Sequence, residues 1–137
     1  MEATGRCLCG AVSFSAEGVD PGVHGCHCGM CRRWSGGPCF AVVVGGVSFE
    51  GASDIARYDS SEWAERGFCR RCGTNLFYRL KEGDRYIMLV GAFDDQAAFA
   101  MASEIFIDEK PAFYALAGDH SRLTGEEFMA SLQSGGG

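Results

Sequence analysis

Cys26-His27-Cys28-Gly29-Met30-Cys31 sets three thiols within six residues, one residue between the first pair and two between the second. Thiolates are soft donors, and this crowding suits a transition-metal ion better than disulfides. Zinc is the default occupant, because it is redox-silent and accepts any mix of sulfur and nitrogen ligands. The odd number is the informative feature. A closed structural zinc site takes four protein ligands, whereas a zinc that does chemistry keeps three and leaves one position open.

The other cysteines extend the pattern. All eight fall at positions 7, 9, 26, 28, 31, 39, 69 and 72. Seven belong to clusters of two, three and two, and Cys39 stands alone. Met1-Glu2-Ala3-Thr4 has neither a basic n-region nor an apolar h-region, so no secretion signal is read there. That predicts a reducing compartment, the cytoplasm, and metal ligation rather than a disulfide framework.

With 137 residues, 47% of them apolar, the chain is sized for one globular domain over 1–137 with a frayed tail at 134–137. Twenty glycines against three prolines suggest short strands and many turns. The net charge of −6 and the lack of a basic run argue against nucleic acid as a partner. The longest apolar run, Phe40-Ala41-Val42-Val43-Val44, is too short to span a bilayer.

Val12, Phe14 and Ala16 alternate with Ser13 and Ser15, the period of a half-buried strand. Val23–Cys26 reads as a short return strand, and 32–38 as a non-repetitive stretch. Strands are expected over Cys39–Val44, Val47–Phe49, Ile55–Tyr58, 75–78, Tyr86–Val90 (buried on both faces) and Glu104–Ile107. Cys69-Arg70-Arg71-Cys72-Gly73 matches a zinc knuckle at a hairpin tip, where glycine lets amide groups turn toward sulfur. Asp94–Phe99 reads as a helical turn and 112–117 as a short helix. Thr124-Gly125-Glu126-Glu127 is a capping box opening a helix through Leu132. The expectation is a mainly β domain of antiparallel strands with zinc knuckles at its turns and a short C-terminal helix.

Two ways of sharing out the thiols remain open. In one, Cys7, Cys9, Cys69 and Cys72 form a closed structural site, and Cys26, Cys28 and Cys31 form an open one. It uses every clustered thiol. In the other, Cys28 and Cys31 join Cys69 and Cys72 as a plain ribbon, leaving Cys7, Cys9 and Cys26 over.

Gly5–Gly10, Cys26–Gly36 and Gly67–Phe77 carry C-x-C-G, C-H-C-x-x-C-R-R-x-S-G and G-F-C-x-x-C-G-T-x-L-F in that order. This ordered set resembles the glutathione-dependent formaldehyde-activating enzyme family, which also includes centromere protein V. Gly91–Asp95 and Glu104–Pro111 resemble its weaker later motifs. The resemblance implies the Mss4-like (β-tent) fold with two zinc ions. It implies a structural zinc on Cys7, Cys9, Cys69 and Cys72, and a catalytic zinc on Cys26, Cys28 and Cys31 whose site can be partly empty. The implied reaction joins glutathione to formaldehyde as S-hydroxymethylglutathione, a carbon–sulfur lyase chemistry. Its partners would be a small thiol and an aldehyde.

The chemistry is coherent from the residues upward. Three thiolates on a zinc ion make a poor activator of water, but a fourth thiol entering the open position deprotonates there. Arg32, Arg33 and nearby amides would offset the charge, and Arg32 would also receive a substrate carboxylate. The plainer readings stand beside these. Arg32 and Arg33 are simply solvated, Trp34 packs rather than forming a substrate platform, and Cys39 is a small buried hydrophobe. His27, between two thiols, is a fourth ligand, an acid–base group, or a residue that supports the ligands or lies exposed. His24 and His120 carry no motif. Two other functions remain in play: a noncatalytic zinc module binding a protein partner, and a chromatin protein like centromere protein V. The acidic balance counts against the chromatin reading. A methionine-sulfoxide reductase of similar fold has only Cys39 as a spare thiol.

Overall fold

Alternation along the first cysteine-flanked segment becomes a strand with one face buried. Val12, Phe14 and Ala16 point inward, while Ser15 and Glu17 stay exposed. The computed structural model describes residues 1–134. In chain order the strands are β1 (Ala3–Arg6), β2 (Ser13–Glu17), β3 (Gly22–Cys26), β4 (Cys39–Val43), β5 (Gly46–Glu50) and β6 (Ile55–Asp59). They continue as β7 (Ala64–Cys69), β8 (Asn75–Leu80), β9 (Arg85–Leu89), β10 (Ala100–Ile105) and β11 (Ser121–Arg122). The helices are α1 (Gly29–Ser35) and α2 (Gly125–Ser134). No helix among the described residues is long and apolar enough to cross a membrane.

The chain forms two compact units. The first comprises Met1–Pro21 and Ala41–Phe99. In it β1, β2 and β5 make an antiparallel sheet, with Gly5 opposite Phe14 and Phe14 opposite Phe49. β6 to β9 form an antiparallel meander, and Ala41–Val43 of β4 pairs with Ile87–Leu89 of β9. Its core is an aromatic chain. Phe93 and Phe14 lie 5.1 Å apart between ring centroids, Phe49 and Phe77 5.5 Å, and Phe77 and Tyr86 4.9 Å. Gly67 in β7 lies opposite Phe77, whose ring fills the space of the missing side chain. A Cβ built at Gly67 would stand 2.1 Å from a ring carbon.

The second unit comprises Gly22–Phe40 and the residues from Ala100 onward. Here β10 runs parallel to both β3 and β11, so Gly25, Glu104 and Arg122 fall in one row across three strands. α2 opens with the expected capping box. Glu127 Oε1 accepts from Thr124 N at 2.8 Å, and Thr124 Oγ1 accepts from Glu127 N at 3.1 Å.

The mainly β expectation and the C-terminal helix hold, and several local readings do not. The stretch at 32–38 is largely α1, which Cys28 caps by accepting from Cys31 N, and which Gly36 ends in the left-handed conformation. Asp94–Phe99 forms no helix, because the Gln96 side chain takes the carbonyls of Val90 and Phe93, and Asp95 accepts from Ala97 N. Residues 112–117 form no helix either. Lys110 claims the carbonyls of Pro111 and Tyr114, and Arg122 claims that of Leu116. β9 buries only Met88 fully, with Arg85 in solvent. The strand read at Glu104–Ile107 ends at Ile105, because Phe106 takes a φ of 55° and reverses the chain. The pairings of β10 with β3 and β11 are parallel, where antiparallel strands were expected. Of the tail expected to fray, Ser134 closes α2 and 135–137 lie outside the described residues.

Candidate functional site

Two knuckles of the first unit bring four thiols together. Cys7 N donates to Val12 O, and Gly10, with φ +82°, closes the first turn by donating to Cys7 O. The second knuckle caps the β7–β8 hairpin. Cys69 N donates to Thr74 O, and Gly73 (φ +79°) donates to Cys69 O. Leu8 N donates to Thr74 Oγ1 at 3.0 Å and ties one knuckle to the other. The sulfurs of Cys7, Cys9, Cys69 and Cys72 all lie within 4.8 Å of one another.

The spacing fits a metal. Cys7 and Cys9 sulfurs are 3.7 Å apart, and Cys9 and Cys69 sulfurs 3.8 Å. Four sulfurs in a tetrahedron about zinc, each bonded at about 2.3 Å, stand roughly 3.8 Å apart. Amides also point at the sulfurs, Val12 N at Cys7 Sγ at 3.3 Å and Arg71 N at Cys69 Sγ at 3.4 Å, as they do where thiolates need partial neutralisation. A hydrogen bond from the Thr74 hydroxyl lowers Cys72 to about 5, so that thiol ionises readily. Beside it, Arg70 and Arg71 both pair with Asp54 and hold its carboxyl below the usual range, Arg71 contributing most.

The second unit carries the three-thiol cluster. Cys26 ends β3, Cys28 caps α1 and Cys31 lies in its first turn. The three sulfurs lie within 4.8 Å of one another, and all three residues are half-buried. The Cys26 and Cys28 thiols hydrogen-bond to Cys31 and lower it, while the Cys39 thiol pushes it back up. Cys26 is pushed far up, chiefly by sharing hydrogen bonds with Cys28 and then Cys31. The three thiols thus share hydrogen bonds within one compact donor set. Each cysteine cluster can therefore hold a metal ion, and the donor sets are compatible with zinc.

Cys39 is buried at the start of β4, and the small-hydrophobe reading fits its burial. Arg32 is half-buried and turns inward, its Nε donating to His27 O at 2.9 Å, while Arg33 lies in solvent. Trp34 is half-buried.

His27 is neither a fourth ligand nor exposed. It has 0% relative exposure, and both ring nitrogens are engaged, Nδ1 with the Tyr114 hydroxyl at 2.8 Å and Nε2 with Glu104 Oε1 at 2.7 Å. Glu104, itself 1% exposed, also receives His120 Nε2 and Arg122 Nε on its second oxygen. Burial would raise this carboxyl, but the bonds from His120 and His27 and the charge of Arg122 outweigh it and hold it below its ordinary value. Burial raises the Tyr114 hydroxyl. Glu104, Tyr114, His120 and Arg122 were not singled out from the sequence. The signals available lay at Glu104, a carboxylate heading the otherwise apolar run Glu104-Ile105-Phe106-Ile107 and opening the stretch Glu104–Pro111 that resembles a later family motif.

Comparison with known proteins gives a consistent family. The model of the glutathione-dependent formaldehyde-activating enzyme family matches residues 2–109. A Schizosaccharomyces pombe protein described as an uncharacterized lyase is 32% identical over 133 residues, spanning 96% of this chain and 97% of that one. A Halomonas elongata protein named for glutathione-dependent formaldehyde activation is 31% identical over 83 residues, 53% of each chain. A crystal structure of a Rhodobacter sphaeroides protein superposes with a TM-score of 0.58 at 24% identity, covering 66% of this chain and 87% of that one. That likeness shows a shared fold.

Proposed function

The chain belongs to the glutathione-dependent formaldehyde-activating enzyme family, and from that premise we propose that it is a carbon–sulfur lyase-type enzyme joining glutathione to formaldehyde at Cys26, Cys28 and Cys31. The observation that carries the reading is the unequal count of thiols. Cys7, Cys9, Cys69 and Cys72 complete a tetrahedral donor set, while Cys26, Cys28 and Cys31 stop one short of it. A zinc ion held by the three thiols would supply an open coordination position at which an incoming thiol loses its proton.

In the forward direction a sulfur–carbon bond forms to the aldehyde carbon, the carbonyl π bond breaks, and its oxygen takes up the proton given by the thiol. The protein's part is to hold the thiol sulfur beside that carbon, which is catalysis by proximity and orientation. Cys26, Cys28 and Cys31 fix the place of the sulfur. Arg32, one turn into α1, donates its Nε to the His27 carbonyl, and its terminal amino groups would receive a substrate carboxylate. Trp34 lines the flank of the same helix.

Cobalt in place of zinc gives the direct test. Sulfur-to-cobalt charge-transfer bands should grow on adding glutathione, and binding should weaken as pH falls, since the thiol must lose a proton. S-methylglutathione should bind much more weakly. An unchanged spectrum with millimolar glutathione and cysteine overturns the open-site reading and leaves a noncatalytic metal module. Thiol binding without formaldehyde turnover above the uncatalysed rate would mean a different aldehyde.

A further inference from the structure

Every polar group of His27 is engaged. The backbone N donates to Ile105 O at 3.1 Å, and the backbone O accepts from Arg32 Nε at 2.9 Å. Nδ1 meets the Tyr114 hydroxyl, and Nε2 meets Glu104. A residue so fully occupied between two thiols of one cluster acts as a strut. Its anchors come from one short segment. Glu104 takes the His27 ring, Ile105 takes the His27 amide, and Glu109 Oε1 accepts from Gly29 N at 3.1 Å. Phe106, with φ 55°, stands between Glu104 near the end of β10 and Glu109 in the turn that follows. A non-glycine residue in that conformation is held there by its surroundings. Here the Phe106 ring packs against Phe128, and a Cβ at Gly125 would approach that ring to 2.6 Å.

We propose, on the reading that Cys26, Cys28 and Cys31 hold the metal, that Glu104 is the positioning residue of that cluster, fixing the loop and the tautomer of His27 and thereby aiming the Tyr114 hydroxyl. The hydrogen-bond directions follow from the donor inventory. Arg122 Nε can only donate, so Glu104 Oε2 accepts from it, and the bonds and charge around the carboxyl hold it below its ordinary value and so ionised at neutral pH. An ionised carboxylate has no proton to give, so the proton between Glu104 and His27 sits on Nε2 of the ring. In the neutral imidazole Nδ1 is then an acceptor, and the Tyr114 hydroxyl donates to it. The lone pairs of the Tyr114 oxygen are left to face away from His27. A buried ion network of this kind is weak evidence for stability, since an apolar replacement often does as well. What it contributes is a single geometry for the segment from Cys26 to Cys28.

The test is a cobalt titration of the full chain and its Glu104→Gln variant, with ¹⁵N spectra of the imidazoles in the zinc-loaded protein. Glutamine keeps the size of the side chain but loses the charge and one acceptor. The wild type should take up two cobalt ions. In the variant, affinity at the three-thiol cluster should fall about 10–100-fold with the four-thiol cluster unchanged. The wild-type His27 ring should be protonated at Nε2 and accept at Nδ1, and the variant should show mixed tautomers. A wild type that binds only one cobalt defeats the metal reading itself. Two cobalt ions with unchanged affinity in the variant, or equal loss at both clusters, defeats the positioning role alone. If Glu104→Gln does not fold, the wild-type spectrum decides: a proton on Nδ1 instead of Nε2 overturns the assignment.

Discussion

The Cys9 and Cys69 sulfurs lie 3.8 Å apart although sixty positions separate them in the chain. A metal held there closes a long loop, and a cross-link over such a loop removes about 4 kcal/mol of chain entropy from the unfolded state. Cys69→Ser should therefore lower the melting temperature strongly and abolish its dependence on chelator. Cys28→Ser should leave a folded protein with a melt close to the wild type. Circular dichroism melts with and without a chelator check both. The reverse pattern, with Cys28→Ser unfolded and Cys69→Ser intact, sinks this division of roles.

Gly67 and Phe77 make a second sharp constraint. The Phe77 ring occupies the place of a Gly67 side chain and is itself fully buried. Gly67→Ala should destabilise the first unit by about 1–3 kcal/mol, the usual cost of overpacking a core. That is several degrees in melting temperature. A melt within one degree of wild type would mean the ring slides aside freely.

Much of this organisation can be read from the chain, and what cannot be read has a physical cause. The thiol clusters are legible because ligand spacing is local and chemically unmistakable. The capping box at Thr124 and Glu127 is equally local. α1 is only seven residues long, too short for helical periodicity to show, and its cap is a cysteine read as a ligand. The Glu104 network was illegible for a different reason. Gly25, Glu104 and Arg122 meet through parallel pairings between distant segments, and such register leaves no local mark. His120 and Tyr114 arrive on a stretch without regular structure, held by Lys110 and Arg122 bonds to its carbonyls.

Glu104 also predicts a pH dependence. Its folded carboxyl lies below its ordinary value, so the stability it adds is complete above the unfolded carboxyl pKa, about 4.3, and drains away as pH falls through the lower folded value. Glu104→Gln should be less stable than wild type at neutral pH, with the gap narrowing below about pH 4. Melting temperatures of the two proteins across that range give the comparison. A gap that stays constant from neutral to acid pH would show that the charge contributes nothing.

Thr124 Oγ1 accepting from Glu127 N satisfies an amide that the first turn of α2 would otherwise leave unpaired. Thr124→Ala should cost about 1 kcal/mol. Amide exchange should quicken first in the opening turn of α2, while the β7–β8 hairpin stays protected. Equal acceleration in both places would contradict a local cap.

The last prediction concerns the order in which metal leaves. The four-thiol cluster has four protein ligands and direct amide bonds to Cys7 and Cys69. The three-thiol cluster has one ligand fewer, with an amide bond from Cys31 N to Cys28 Sγ. Fewer ligands mean weaker and more exchangeable binding. Graded chelation of the zinc-loaded protein should therefore release metal in two steps. The first should come from Cys26, Cys28 and Cys31, end thiol binding and leave the circular dichroism spectrum intact. The second should come from Cys7, Cys9, Cys69 and Cys72 and coincide with loss of β structure, because β1 and the β7–β8 hairpin lose their clamp. Zinc release followed by a colorimetric chelator, alongside the spectrum, resolves the two steps. Loss of structure in the first step would mean that the three-thiol cluster carries the fold.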